Sequence, residues 1–249
     1  MKTTTRLLLA CVVVVLAAPA HAAEINVLCS NGLRAVVEEL APAFEQKTGN
    51  RLMLKFEPST QIQKRIEAGE PFDLAVMTTA LIDQEIKAGK LAADSRTIVA
   101  KSGLGLSIRA GAKKPDIKTV ESFKQALLSA RSLTYATAGA SAAPFEALVD
   151  KLGITAQVKP KYKLRETASQ VGEVVANGDV EIGVAPVSEI LPVKGVDLVG
   201  PFPADVQSYV VMTAGVNVKA REKAAAKAFV DFLTAPANRS VIKAKGMEQ

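Results

Sequence analysis

The chain has 249 residues with 31 basic and 25 acidic side chains, one His, two Cys and no Trp. Its length allows one large domain or two smaller ones. With 49% hydrophobic and 22% charged residues it describes a folded protein and not a disordered one. Triads, multi-His metal sites and H-E-x-x-H motifs need a His in the working chain, and the only one, His21, lies in a segment expected to be removed.

Residues 1–6 carry Lys2 and Arg6, residues 7–18 are uninterruptedly apolar, and Pro19-Ala20-His21-Ala22-Ala23 follows. This is the layout of a secretory signal peptide over residues 1–22, with Ala20-x-Ala22 as the cleavage site. The apolar run is too short to span a bilayer. A competing reading takes Leu8-Leu9-Ala10-Cys11 as a lipoprotein-processing sequence. Cleavage after Ala22 implies export to the periplasm. It removes His21 and Cys11 and lowers the formal charge of +6 by two. Cys29 then has no partner for an intramolecular disulfide and no His to activate it, so it reads as a small buried residue at a strand end. Basic residues are scattered and aromatics are only 4%, which does not support a nucleic-acid surface.

From there strands and helices alternate. Residues 25–29 read as a strand. Leu33, Val36, Val37, Leu40 and Phe44 recur at helical spacing, and Gly49 stops that helix. Residues 51–56 alternate as a strand, and Ser59 or Thr60 can cap a helix reaching Gly69. A buried strand over 74–77 and a helix over 79–88 complete a βαβαβα succession, the signature of an open parallel sheet. Residues 98–109 then form a long extended passage. The pattern restarts with helix 120–128, strand 133–137, helix 144–152, strand 158–164, helix 169–176 and strand 182–185. A second extended passage, 207–218, leads to an Ala-rich helix over 220–233 and a last helix over 238–243. Two α/β units separated by two extended passages predict two lobes with a double crossing, the C-terminal helices completing the first.

Open α/β sheets bind ligands beyond the carboxyl ends of their strands, where helix N-termini with unpaired N–H groups suit anions. Four junctions are small or hydroxyl-bearing: Ser30-Asn31-Gly32, Pro58-Ser59-Thr60, Gly139-Ala140-Ser141-Ala142 and Thr167-Ala168-Ser169. Taken singly each is an ordinary helix cap; the set of four, two per lobe, points to an anion cleft. Gly89-Lys90 lacks the upstream glycine of a Walker loop, and Gly103-Leu104-Gly105 lacks the third glycine of a dinucleotide fingerprint, so no nucleotide cofactor is expected. Gly139-x-Ser141-x-Ala143 only loosely matches a nucleophile elbow, and no His could serve its Ser. No metal site and no other cofactor are expected.

These junctions carry a resemblance. Ile25-Asn26-Val27 with the small turn and the helix ending in Thr48-Gly49, then Phe56-Glu57-Pro58-Ser59-Thr60, then Ile66-Glu67-Ala68-Gly69-Glu70-Pro71-Phe72-Asp73-Leu74, resemble the periplasmic molybdate-binding proteins. The resemblance covers the mature chain and is weaker after Lys114. It implies a two-lobed type II periplasmic binding protein of the α/β class. Each lobe would be an open, mostly parallel sheet flanked by helices, joined by two crossing strands. The lobes would comprise residues 23–103 with 206–249, and residues 104–205. It implies a small anionic ligand, an ABC importer as partner and a monomer.

The resemblance also directs attention to departures. Gly32 falls where the family has a Ser whose hydroxyl holds the oxyanion, and Pro186 falls where it has a Tyr; Ser59 matches the family's second Ser. Ser141 and Ala168 fall opposite backbone-contact positions. Arg34 follows the first junction and Arg165 precedes the fourth, and an Arg fork suits carboxylates. The expected ligand contacts are therefore Asn31, Gly32, Arg34, Ser59, Thr60, Ser141, Ala168 and Arg165. Two functions follow: a receptor for a molybdate-like oxyanion or a small organic carboxylate, or a cofactor-independent isomerase of a polycarboxylate such as aconitate, since the aconitate isomerases resemble the same family. For the isomerase the base would be among Glu57, Lys64, Glu166 and Tyr209, unranked; for the receptor no catalytic residue is expected.

Overall fold

The computed structural model describes residues 22–249. The expected signal peptide therefore lies, apart from Ala22, outside the described residues. Among the described residues eight strands form a mixed sheet of order β2-β1-β3-β8-β4-β6-β5, with β7 also on β4, and ten α-helices accompany it. The elements are β1 (Glu24–Ser30), α1 (Arg34–Thr48), β2 (Arg51–Glu57), α2 (Ser59–Glu67), β3 (Leu74–Thr78), α3 (Thr79–Lys87) and β4 (Thr97–Arg109). Next come α4 (Val120–Ser129), β5 (Leu133–Tyr135), α5 (Ala142–Lys151), α6 (Thr155–Val158), α7 (Ala168–Ala176), β6 (Ile182–Pro186), α8 (Val187–Ile190) and β7 (Val196–Pro201). The chain closes with β8 (Tyr209–Val216), α9 (Lys223–Thr234) and α10 (Arg239–Ala244).

Strand pairing divides the sheet in two. β1 pairs with β2 and β3 in parallel, as helix-linked strands must, and β5 pairs with β6 in parallel. The two long passages run the other way. β8 lies antiparallel between β3 and β4. β4 pairs with β8 through Gly103 and with β6 and β7 from Leu104 onward. The chain thus changes sides once inside β4 and again between β7 and β8. The Gln207 side chain holds the two crossings together: its Oε1 accepts from the Leu104 N–H at 2.9 Å and its Nε2 donates to the Leu104 carbonyl at 3.1 Å.

Apolar periodicity explains the packing. Val36, Val37, Leu40 and Phe44 bury one face of α1. Phe44 meets Phe229 and Phe232 of α9 at ring-centroid distances of 4.9 and 5.5 Å, which packs α9 against α1. Such pairs add about 0.5–1.5 kcal/mol each beyond their burial. Gly49 ends α1 at φ 74°, a left-handed cap that favours glycine. In the second half Phe123 packs on Phe202 at 4.7 Å. Cys29 is fully buried, and burial pushes its thiol pKa well up, as suits a packing residue.

One expected strand is absent. Residues 158–164 include the end of α6 and a 3-10 turn, Lys159–Lys161, and meet the sheet through a single bridge, Leu133 to Tyr162, followed by another from Ala136 to Arg165. Pro160 sits in the first turn of that 3-10 segment, where its fixed φ and missing N–H are tolerated, and it cannot donate to a ladder. β7 and α8 were not anticipated from the sequence.

Candidate functional site

The carboxyl ends of β1, β2 and β3 and the starts of α5, α7 and α8 meet around an inner chamber of about 80 Å³. Its walls come from both halves: Ser30, Asn31, Ser59, Thr60 and Thr78 on one side, and 138–140, 166–168 and Glu189 on the other. By the rule that one water needs about 10–15 Å³ in this measure, the chamber holds about five to eight water-sized groups. That suits one carboxylate or oxyanion group. The chamber adjoins an outer mouth of about 530 Å³, with which it shares Pro58, Ala138, Glu166 and Thr167.

The donors are hydroxyls and backbone amides. Ser59 Oγ accepts from the Thr78 N–H at 3.2 Å and donates to Ser30 Oγ at 3.0 Å. The Ser30 proton then has no partner among the described residues and is free for a ligand. Asn31 Oδ1 accepts from Arg34 at 3.4 Å, which leaves its Nδ2 as a donor. The N-termini of α2 and α3 carry no side-chain cap, so their first N–H groups lack protein partners of that kind. α7 is capped by Thr167 in a box with Gln170, as α4, away from the chamber, is by Thr119 with Ser122.

The structure sorts the expected site residues. Asn31, Ser59, Thr60 and Ala168 line the chamber; Gly32, Arg34, Ser141 and Arg165 do not. Ser141 is buried at the start of α5. Arg34 lays its guanidinium 4.7 Å over the Phe56 ring and pairs with Glu38 at 3.9 Å. Arg165 is spent on backbone carbonyls of Lys163 and Leu164, the nearer at 2.8 Å. Both Arg side chains have partners in their own surroundings, and neither lines the chamber.

The missing family hydroxyl is also resolved. A Cβ on Gly32 would stand 2.5 Å from Met212 Cε and 3.5 Å from Glu189 Oε1. Glycine at 32 thus makes room for these two side chains, and the hydroxyl beside Ser59 comes from Ser30. Pro186, at the expected Tyr position, ends β6 without a donor.

Of the residues considered as bases, Glu57 lines only the mouth, where Arg65 Nε donates to it at 2.6 Å. Lys64 also lines the mouth. Glu166 is exposed and lines both spaces. Tyr209 lies elsewhere, at the crossings, with Lys101 Nζ 4.6 Å over its ring.

Sequence reading missed Glu189. It is half-buried on the chamber wall and forms no hydrogen bond or ion pair among the described residues. Burial raises its pKa from 4.5 to about 7. The signal was a fifth strand-to-helix junction, Pro186-Val187-Ser188-Glu189, which brings a second acid to the cleft beside Glu166. Ser188, next to it, ties the halves together: its hydroxyl donates to the Gly32 carbonyl at 3.0 Å. Among the described residues no cluster of three or more His, Cys, Asp or Glu could hold a metal ion.

Comparison with known proteins accords with this geometry. The chain is 30% identical over 229 residues to an aconitate isomerase from Pseudomonas sp, covering 90% of this chain and 87% of that protein. It is 29% identical over 248 residues to the molybdate-binding protein of Azotobacter vinelandii, covering 97% and 96%. The solved periplasmic molybdate-binding protein of Azotobacter vinelandii superposes with a TM-score of 0.73 at 19% identity, over 90% of this chain and 99% of that one. Residues 25–248 match the family described as bacterial extracellular solute-binding protein, and the chain belongs to that family.

Proposed function

We propose that this chain is an exported receptor for a small organic carboxylate. One carboxyl group of the ligand sits in the inner chamber and the remainder extends toward the mouth. The observation that carries this reading is the chamber itself: neutral donors from Ser30, Asn31, Ser59 and Thr60 on one half face the second half across a space the size of one anionic group. Its continuity with the mouth favours a ligand longer than a tetrahedral oxyanion.

In this reading residues 23–103 with 206–249, and residues 104–205, act as two lobes that close by a hinge at the two crossings. Asn31, Ser59, Thr60 and Ala168 contact the ligand. The receptor works in the periplasm as a monomer and delivers its ligand to an ABC importer. A thermal-shift screen of residues 23–249 against molybdate, tungstate, citrate and cis- and trans-aconitate tests the ligand class. Stabilisation by carboxylates supports the reading; stabilisation by the metallates alone removes it.

A second reading has its own observation. Glu189 stands unpaired in an anion chamber, where its ionised form opposes binding. A receptor can use only its protonated form, as a hydrogen-bond donor, whereas an isomerase of a small unsaturated polycarboxylate, the activity named for the Pseudomonas relative, also uses the ionised form as a base. Interconversion of the aconitates by the purified chain without added cofactor would establish it.

A further inference from the structure

We propose that Glu189 is the catalytic base and acid of the chamber, moving a proton between the two allylic carbons of a bound unsaturated polycarboxylate. This inference rests on the reading of the chamber as a carboxylate site. Three features of the geometry support it. Glu189 lines the same small space as Ser30, Ser59 and Thr60, so a ligand whose carboxylate is held by those donors places its neighbouring carbons beside the Glu189 carboxyl. No protein donor occupies the Glu189 oxygens among the described residues, and glycine at position 32 leaves room for the Glu189 and Met212 side chains to lie side by side against the first half. The other acid on the chamber wall, Glu166, is solvent-exposed.

The step balances without a co-reactant. A Glu189 oxygen takes the proton from the methylene carbon next to the double bond. The electron pair of that C–H bond becomes the new double bond, and the old π pair moves to the far carbon. That carbon receives the proton back from the Glu189 carboxyl. No bond to oxygen changes, and nothing is oxidised or reduced.

The surroundings suit a group that must both take and give a proton. α8 packs against β4, β6, β7 and the Asn31–Leu33 turn. The charged residues on those elements are Lys101, paired with Glu248 at 3.4 Å, Arg109, and Asp197, which accepts from the Gly111 N–H. β6 and the turn carry none. Burial is the sole cause of the raised pKa, about 7, so both protonation states are populated near neutrality.

The test follows residues 23–249 with trans-aconitate in deuterated buffer by NMR, alongside calorimetric titration of the same ligand. The wild-type chain is expected to bind trans-aconitate, to place deuterium in its methylene group and to form the cis isomer, at a rate rising with pH through about 7. Glu189→Gln is expected to keep binding while losing exchange by about 10²- to 10⁴-fold, the usual contribution of a positioned acid–base group. Glu189→Asp, which keeps the carboxyl, should recover part of the rate. A folded Glu189→Gln chain that exchanges at the wild-type rate overturns the assignment. Binding by the wild type with neither exchange nor interconversion also overturns it and leaves the carboxylate receptor standing. Absence of any trans-aconitate binding overturns the carboxylate reading and the assignment together.

Discussion

The chamber and the mouth are neighbours that share walls, yet they handle charge in opposite ways. At the mouth Glu57 and Glu70 are both paired. Arg65 bridges Glu57 and Glu70, and Lys55 reaches Glu70 at 2.7 Å. Hydrogen bonds from Lys55 and then Arg65 hold the Glu70 carboxyl below its usual range. In the chamber the donors are neutral and the single lining acid on α8 is unpaired. Cations whose charge is already answered have little left to offer a ligand, and such exposed pairs are worth little in themselves. The visible Lys and Arg residues of the cleft are therefore poor guides to ligand chemistry, and the hydroxyls and Glu189 are better ones.

The largest expected effect breaks the chamber side of this contrast. Ser59→Ala removes the hydroxyl that links the Thr78 N–H to Ser30. A hydrogen bond serving a charged group is worth about 1.5–3 kcal/mol, so affinity for trans-aconitate should fall about 10- to 100-fold by calorimetry.

Next comes the unpaired acid. The folded-state pKa of Glu189, about 7, lies above its ordinary 4.5. The stability tied to its proton is thus fully present below about 4.5 and lost as pH rises through about 7. Glu189 is only half-buried, so the loss should be about 2 kcal/mol and not the full value of the shift. Melting temperature against pH should show a decline for the free protein that Glu189→Gln flattens. Anion affinity should fall over the same rise in pH and be flat in the variant.

A smaller effect concerns Gly32. Gly32→Ala drives a methyl group toward Met212 Cε, the flexible end of a side chain. The cost should be about 1 kcal/mol, at the low end for overpacking, read as a shift in denaturation midpoint. The smallest effects belong to the charges that looked most suggestive. Arg34→Ala and Arg165→Ala should change trans-aconitate affinity by no more than about twofold, because neither side chain lines the chamber.

Much of the fold is legible in the residues. The apolar spacing of α1, the extended passages that become β4 and β8, and the hydroxyl-bearing junctions at Ser59 and Thr167 all follow from local pattern. Residues 158–164 mislead because Val158, Tyr162 and Leu164 alternate like a strand while Pro160 imposes a helical turn. The site is half legible. Ser59 and Thr60 stand at a helix start where a cap is expected, so their role follows from position. Arg34 misleads because sequence shows its charge but not the Phe56 ring and Glu38 that answer it. Ser30 stands in a junction the sequence already marks, whereas Glu189 stays hidden because its meeting with that junction depends on contacts between residues far apart in the chain.

The most direct test of the account is a crystal structure of residues 23–249 grown with trans-aconitate. The account predicts one carboxylate in the inner chamber, accepting from the Ser30 hydroxyl and from the uncapped first N–H groups of α2, with a ligand carbon against the Glu189 carboxyl. A ligand held at the mouth by Lys64 or Arg65, with the chamber bypassed, would contradict it.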